Sequence, residues 1–309
     1  MKVLEKQRTI KKPVSIGGIG LHSGEEVRLQ FLPASEGEGI VFIRRDIKGS
    51  PRIRAHHRNI IDTRLATTIS ENGTVISTVE HLLAAFAGMG IDNILVELDG
   101  PEVPIFDGSA RAFVEAFSDA GIREQKELRP TISLKRELRL DLGDGRWADI
   151  LPSKELEIEA SFEWRHPILS DQKFSYKHIE GAFSEIETAR TFCLLKDVEN
   201  MKRMGLIRGG SLDNAVVLDE ERVLNPDGLR FENEFARHKV LDALGDFKLA
   251  GIGIQAKFRI HKSGHEFHKM VMGKLFEDTS LLTVSTGVDA DRMAKDLAAV
   301  FARTRVAAS

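Results

Sequence analysis

Two segments of this chain echo one another, and the echo limits the folds open to it. His81 is followed by six residues and Gly88, and His238 by six residues and Gly245. Each segment is apolar at helical spacing, holds no proline, and runs through glycines into an apolar stretch, 93–98 in one half and 254–260 in the other. The pattern predicts an α+β protein of two similar two-layer sandwich domains, each an antiparallel sheet with helices on one face. The first covers 1–126 and the second 130–280. The charged stretch 123–130, ending in proline, reads as the linker. Residues 281–309 form a C-terminal tail with a helix over 289–303. Helix layers that face each other would bring His81 to His238 and put an active site between them.

The segment 231–247 reads as an amphipathic helix of about four turns. His238 and Asp242 are i and i+4, so their Cβ atoms lie ~5–6 Å apart on one face. Metal bonds to imidazole nitrogen and carboxylate oxygen run at about 2.0–2.2 Å, so one ion can bridge such a pair. A histidine and an aspartate at this spacing also occur on any solvated helix face, and a third ligand decides between the two readings. His81 supplies it. Three protein ligands leave one position open, the arrangement of a catalytic zinc. Such an ion brings the pKa of its water towards ~7. Glu80 would take the water's proton. His265, read as a loop histidine after Gly264, would protonate a leaving amine, with Asp246 holding its ring. Lys239 is a candidate phosphate contact, and His22, in the turn Gly20-Leu-His-Ser-Gly24, a candidate substrate contact. Ser77 or Thr78 caps the first helix, and Gly17-Gly18-Ile-Gly20 reads as a turn between strands. His56 and His57 read as surface.

Composition narrows the class. The 309 residues are 42% hydrophobic and 29% charged, with a net charge of −3, which excludes a nucleic-acid-binding surface. Cys193 is the single cysteine, so no thiolate cage or disulfide frame is possible and a reducing cytoplasm is expected. No apolar run approaches the ~18 residues of a membrane span, and the first residues lack a signal core. The chain is expected to be a monomer.

Several short motifs occur together. They are Ser77-Thr-Val-Glu-His81-Leu, Gly90-Ile-Asp-Asn93, Pro104-Ile-Phe-Asp-Gly-Ser109, Ala189-Arg-Thr-Phe192, Arg237-His-Lys239 with Leu241-Asp242 and Gly245-Asp246, and Lys262-Ser-Gly-His265. In this order, from about residue 6 to 276, the chain resembles the UDP-3-O-acyl-N-acetylglucosamine deacetylases of Gram-negative bacteria. The resemblance implies a zinc amidase of lipid A synthesis that cleaves the N-acetyl group of an acylated sugar nucleotide; iron(II) is a conceivable alternative ion. It implies zinc on His81, His238 and Asp242, Glu80 as base, and His265 as acid, oriented by Asp246. Thr191 would donate to the developing oxyanion, Phe192 and Lys239 would contact substrate, and His22 would line the same cleft. A βαβ insert near 193–218 would form a passage for the fatty acyl chain, with Met204 and Leu206 among its residues. The chain departs from the family pattern at Cys193, where glycine is common, and at His268, where asparagine is usual. An amidase for another acylated amino sugar, or an inactive sugar-nucleotide-binding module, are the other readings.

Overall fold

A computed structural model describes residues 5–163, 169 and 171–285. Its α-helices are α1 (Glu80–Gly88), α2 (Arg111–Ala120), α3 (Leu195–Arg203), α4 (Glu234–Lys248) and α5 (His265–Glu277). None is long and apolar enough to cross a membrane. The helix expected over 289–303 lies outside the described residues.

The chain is α+β, with two main sheets. In the first, the strands run in the order Val14–Ile19, Glu26–Pro33, Ile94–Leu98, Ile40–Arg44, Arg52–Arg54. In the second, Gly253–His261 is central: Trp147–Pro152 lies on one side, Glu157–Phe162 and Thr131–Leu134 on the other. The echo seen in sequence extends to this topology. α1 leads into Ile94–Leu98, which has an antiparallel neighbour on one side and a parallel neighbour on the other. α4 leads into Gly253–His261, which is flanked in the same way.

Strand alternation buries every second residue, and the helices cover those faces. Phe31 on its strand meets Phe86 of α1 and Phe117 of α2, with ring centroids 6.2 and 4.8 Å away. Phe247 of α4 packs on Phe258 of the second sheet at 4.4 Å. Each such ring, fully buried, contributes about 1.5–3 kcal/mol. The helices that cover the two sheets then meet. A Cβ on Gly245 would stand 2.0 Å from the Glu80 carbonyl oxygen, so only glycine lets α4 lie this close to α1. That close approach brings His238 and Asp242 alongside His81.

Some sequence expectations change here. Residues 123–128, expected within a linker, belong to the strand Ile122–Leu128, which pairs with Lys6–Ile10. The two segments lie far apart in sequence, so neither shows its partner locally. The tail does not begin at 281: Leu282–Ser285 is a strand antiparallel to Thr131–Leu134. Gly17 and Gly18 lie inside a strand, not in a turn. A side chain at Gly18 would strike the Phe106 ring at 2.9 Å, so the glycine makes room for a ring. His56 and His57 are partly buried, and His57 stacks on Phe276 of α5 at 5.1 Å. Burial pushes the two imidazoles down to about 4 and about 3, with nearby positive groups adding to the effect.

Candidate metal centre and active site

Three buried side chains converge where α1 meets α4. His238 Nε2 lies 3.2 Å and His81 Nε2 3.6 Å from Asp242 Oδ1. The three ligand atoms all fall within 4.8 Å of one another. Asp242 Oδ1 is buried and has no hydrogen-bond partner among the described residues, an arrangement that costs free energy unless something positive occupies the gap. Its other oxygen, Oδ2, accepts from Lys239 Nζ at 2.9 Å. Burial opposes the charge on Asp242, but His238 while it is protonated, and Lys239, outweigh it and hold the carboxyl well below its usual range.

The ring of His238 is oriented from behind. Its Nδ1 donates to the Ala189 carbonyl at 3.0 Å, which leaves the Nε2 lone pair facing Asp242. Ala189 is in turn fixed by its neighbour. Arg190 donates to Glu234 through Nε at 2.8 Å and Nη2 at 3.1 Å, an ion pair buried in the first turn of α4. Burial lowers the His238 pKa to about 3, so the ring is neutral, as a metal ligand must be. The donor set, its charge and its unpartnered oxygen fit a divalent cation.

Glu80, adjacent to His81, is also buried. Its Oε2 accepts from the Thr67 backbone N–H at 3.0 Å, and its Oε1 lies 4.0 Å from His265 Nε2. Burial raises its pKa against the opposing pull of His265 and His81, with Asp246 and Asp242 adding to the rise. His265 is the first residue of α5, not a loop residue; Gly264 holds the N-cap position. Its Nδ1 donates to Asp246 Oδ2 at 2.8 Å. Burial works against its charge, but Asp246, with Glu80 and Asp242 further off, pushes its pKa up to about 9. Glu80 and His265 are therefore displaced in the directions that suit a base and an acid at neutral pH.

Glu80, His81, Thr191, Phe192, Lys239, Asp242 and His265 line one cavity of about 360 Å³. The motif Asp107-Gly-Ser109 supports its wall. Thr191 N–H donates to the Gly108 carbonyl at 2.8 Å, and Asp107 pairs with Arg230 at 2.8 Å. Phe192 packs edge-on to Phe235 at 4.7 Å, and Lys239 Nζ stands 5.3 Å over its ring. His22 is not in that wall. Its neighbour Leu21 is, while Glu102 holds the backbone N–H groups of His22 and Ser23, both at 2.8 Å. Met204 and Leu206 do not line the cavity either, and Met204 is 58% exposed. They follow α3, between the parallel strands Phe192–Leu194 and Val216–Leu218. The same loop meets the His22 turn through Gly209 N–H to Leu21 O at 3.0 Å.

Neither Ser77 nor Thr78 caps α1. Thr78 has φ +58°, rare for a β-branched residue, and its hydroxyl donates instead to Glu102 at 3.0 Å. Thr67 belongs to this site unannounced by any motif: its hydroxyl donates to Asp246 Oδ1 at 2.6 Å. Nothing in its local sequence singles it out. His268, known from the sequence only as a departure from the family pattern, donates to the same carboxylate. The spacing His265-x-x-His268 signals it once α5 is known to begin at His265.

A buried His₂Asp group, beside a raised carboxyl and a raised imidazole, is the donor set of a metal-dependent hydrolase. The family model described as UDP-3-O-acyl N-acetylglycosamine deacetylase matches residues 7–277, and the chain belongs to that family. A UDP-3-O-acyl-N-acetylglucosamine deacetylase of Myxococcus xanthus (strain DK1622) is 46% identical over 275 residues, 89% of this chain and 87% of that protein. Proteins of the same name from Syntrophus aciditrophicus (strain SB) and Haemophilus influenzae (strain PittEE) are each 43% identical. The first covers 91% of this chain and 89% of its own length, the second 86% and 88%.

Proposed function

We propose that this chain is a zinc-dependent amidohydrolase. It removes the N-acetyl group of UDP-3-O-((R)-3-hydroxyacyl)-N-acetylglucosamine, giving acetate and the free amine for lipid A biosynthesis. The observation that carries the metal reading is the buried, unpartnered Asp242 Oδ1 facing two imidazole nitrogens. Zinc suits two imidazoles and one carboxylate, and iron(II) is the alternative that the same donors accept.

A cation held by His81, His238 and Asp242 would supply Lewis acidity and ease deprotonation of water near neutral pH. Glu80 takes the proton of the attacking water as its oxygen bonds to the amide carbon. Thr191 donates to the carbonyl oxygen as charge builds there. His265 then gives its Nε2 proton to the amine nitrogen as the carbon–nitrogen bond breaks, and Asp246 holds the imidazolium. Lys239 and Phe192 bind the sugar and diphosphate, with His22 behind the cleft wall. The acyl chain leaves past Leu21 towards the insert over 193–218, where Met204 and Leu206 shelter it. Burying ten methylenes would yield ~8 kcal/mol before ordering costs. Units 1–126 and 130–280 thus each supply part of one site. A reducing cytoplasm fits the single cysteine, and the chain is taken to act as a monomer.

Metal content and acetate release test the reading together. One zinc or iron per chain, and release from the acylated nucleotide far faster than from the unacylated one, are expected. A metal-free active enzyme would refute the mechanism. Equal rates on both substrates would refute the acyl passage.

A further inference from the structure

Asp246 accepts three hydrogen bonds, and the mechanism above uses only one. Its Oδ1 accepts from Thr67 Oγ1 at 2.6 Å. Its Oδ2 accepts from two imidazoles, His265 Nδ1 at 2.8 Å and His268 Nδ1 at 2.7 Å. His268 is fully buried. Its Nε2 has no partner among the described residues, so all the polar work of this ring falls on Asp246. Both histidines stand on α5, three positions apart, so they reach the α4 carboxylate from one helix face. Their rings are nearly perpendicular, 89° with centroids 6.0 Å apart, and Phe247 packs edge-on to His268 at 5.7 Å.

We propose that His268 is a positioning residue: its Nδ1–H fixes Asp246 Oδ2 in the plane that His265 Nδ1 requires, and so aims His265 at the leaving amine. The inference rests on the acid role given to His265 above. The terminal torsion of an aspartate is broad, so a carboxylate anchored by Thr67 alone can swing its second oxygen. A second donor on that oxygen removes the freedom. His265, Asp246 and His268 also present ligand atoms within 4.8 Å of one another. Here both Nδ1 atoms already donate to Oδ2, so these nitrogens are committed to the carboxylate rather than open to an ion.

The metal-loaded enzyme with His268→Leu, His268→Gln and His268→Asn tests this. Asparagine carries its amide nitrogen close to where Nδ1 sits, whereas glutamine carries it further out, where Nε2 sits. Leucine and glutamine should each lower kcat about ten- to a hundredfold, with KM and bound metal nearly unchanged. Asparagine should restore most of the loss. In an Asp246→Ala background, His268→Leu should cost less than about twofold, because the residue acts only through that carboxylate. The proposal is overturned if asparagine is as poor as leucine, if the loss persists without Asp246, or if KM rises while kcat holds. His265→Ala separates the two ideas. Unchanged kcat there would remove the acid role and this inference with it. A large loss there, with His268→Leu unaffected, would remove only the positioning role.

Discussion

Two cavities flank the paired helices, and the larger is not the one equipped for chemistry. Towards the C-terminal ends of α1 and α4 lies a cavity of about 600 Å³, lined by Ala87, Asp92, Arg129, Leu244 and Lys248 among others. It is rich in charge, but key charges there are already matched. Arg129 donates to Asp92 at 2.8 and 3.0 Å and to the Gly90 carbonyl at 2.8 Å, and it also pairs with Glu5. Lys248 lies 3.7 Å from Asp92. The Asn93 side chain bonds Gln7, Gln125 and the Gly39 N–H. Burial pushes the His56 and His178 imidazoles of the larger cavity down to about 4, so both are neutral. The smaller cavity, about 360 Å³, instead adjoins a carboxylate oxygen with no partner among the described residues, a raised carboxyl and an imidazole raised to about 9. Unsatisfied polarity, not volume, locates the chemistry in this molecule.

The sharpest test of that contrast is to remove the unsatisfied oxygen. Asp242→Ala takes away one of three proposed ligands and should cost several kcal/mol of transition-state stabilisation, about 10³-fold or more in kcat. Zinc occupancy under competition with a chelator should fall alongside activity; occupancy equal to the parent's would sink the ligand assignment. The next largest effect is expected at Glu80. Glu80→Gln keeps an acceptor for Thr67 N–H but cannot take a proton, so kcat should fall ~10²–10⁴-fold while metal stays bound. Loss of metal in that variant would make Glu80 a ligand and break the separation of roles.

Much of this site is legible in sequence because helical spacing is a local rule. His238, Asp242 and Asp246 occupy successive turns of one helix, and the repeated His-to-Gly interval announces its counterpart at His81. The two glycines of that interval turn out to serve close approach. Gly245 admits the α1 backbone, and a side chain at Gly88 would strike Phe183 at 2.1 Å. What stays hidden depends on contacts between distant segments. The pairing of Lys6–Ile10 with Ile122–Leu128 disguises a strand as a linker. The clasp of Thr67 on Asp246 joins residues 179 positions apart, which no local pattern encodes. Apolar spacing likewise marks Met201 and Met204 alike, yet the first is 8% and the second 58% exposed. Periodicity cannot tell a helix face turned inward from one just past the helix end.

A smaller effect than any above should appear in the pH profile. The folded His265 has its pKa raised from 6.5 to about 9, so between those values it keeps a proton that the unfolded ring has lost. That contribution to stability is fully present below about 6.5 and is lost as pH rises through about 9. The charged acid is likewise available only below the folded pKa, so kcat should decline on the alkaline side. A divalent cation nearby lowers that pKa, which places the decline of the loaded enzyme at or below about 9. Asp246→Asn removes the main raising charge and should move the limb to lower pH. A limb that stays put would assign it to another group.

The least activity change is expected from the larger cavity, and that makes it the control for the whole comparison. Arg129→Ala deletes the donor that engages Asp92, Gly90 and Glu5, and it leaves Asp92 partly buried with Lys248 as its remaining cation. Asp92 keeps Lys248 and the Arg8 backbone N–H, at 2.9 Å, but loses its guanidinium, which costs roughly 1–3 kcal/mol and corresponds to a fall in Tm of several degrees. Among the described residues, the hydrogen bonds and ion pairs of Arg129 go to Asp92, Gly90 and Glu5, none of which lines the smaller cavity, so kcat/KM at a temperature where the variant is folded should match the parent's. A thermal melt and a rate measurement on one preparation decide it. A lower Tm with unchanged kcat/KM would mark these charges as structural. A tenfold loss of kcat/KM at intact fold and metal content would mean that the two cavities are coupled, and the contrast between them would no longer locate the chemistry.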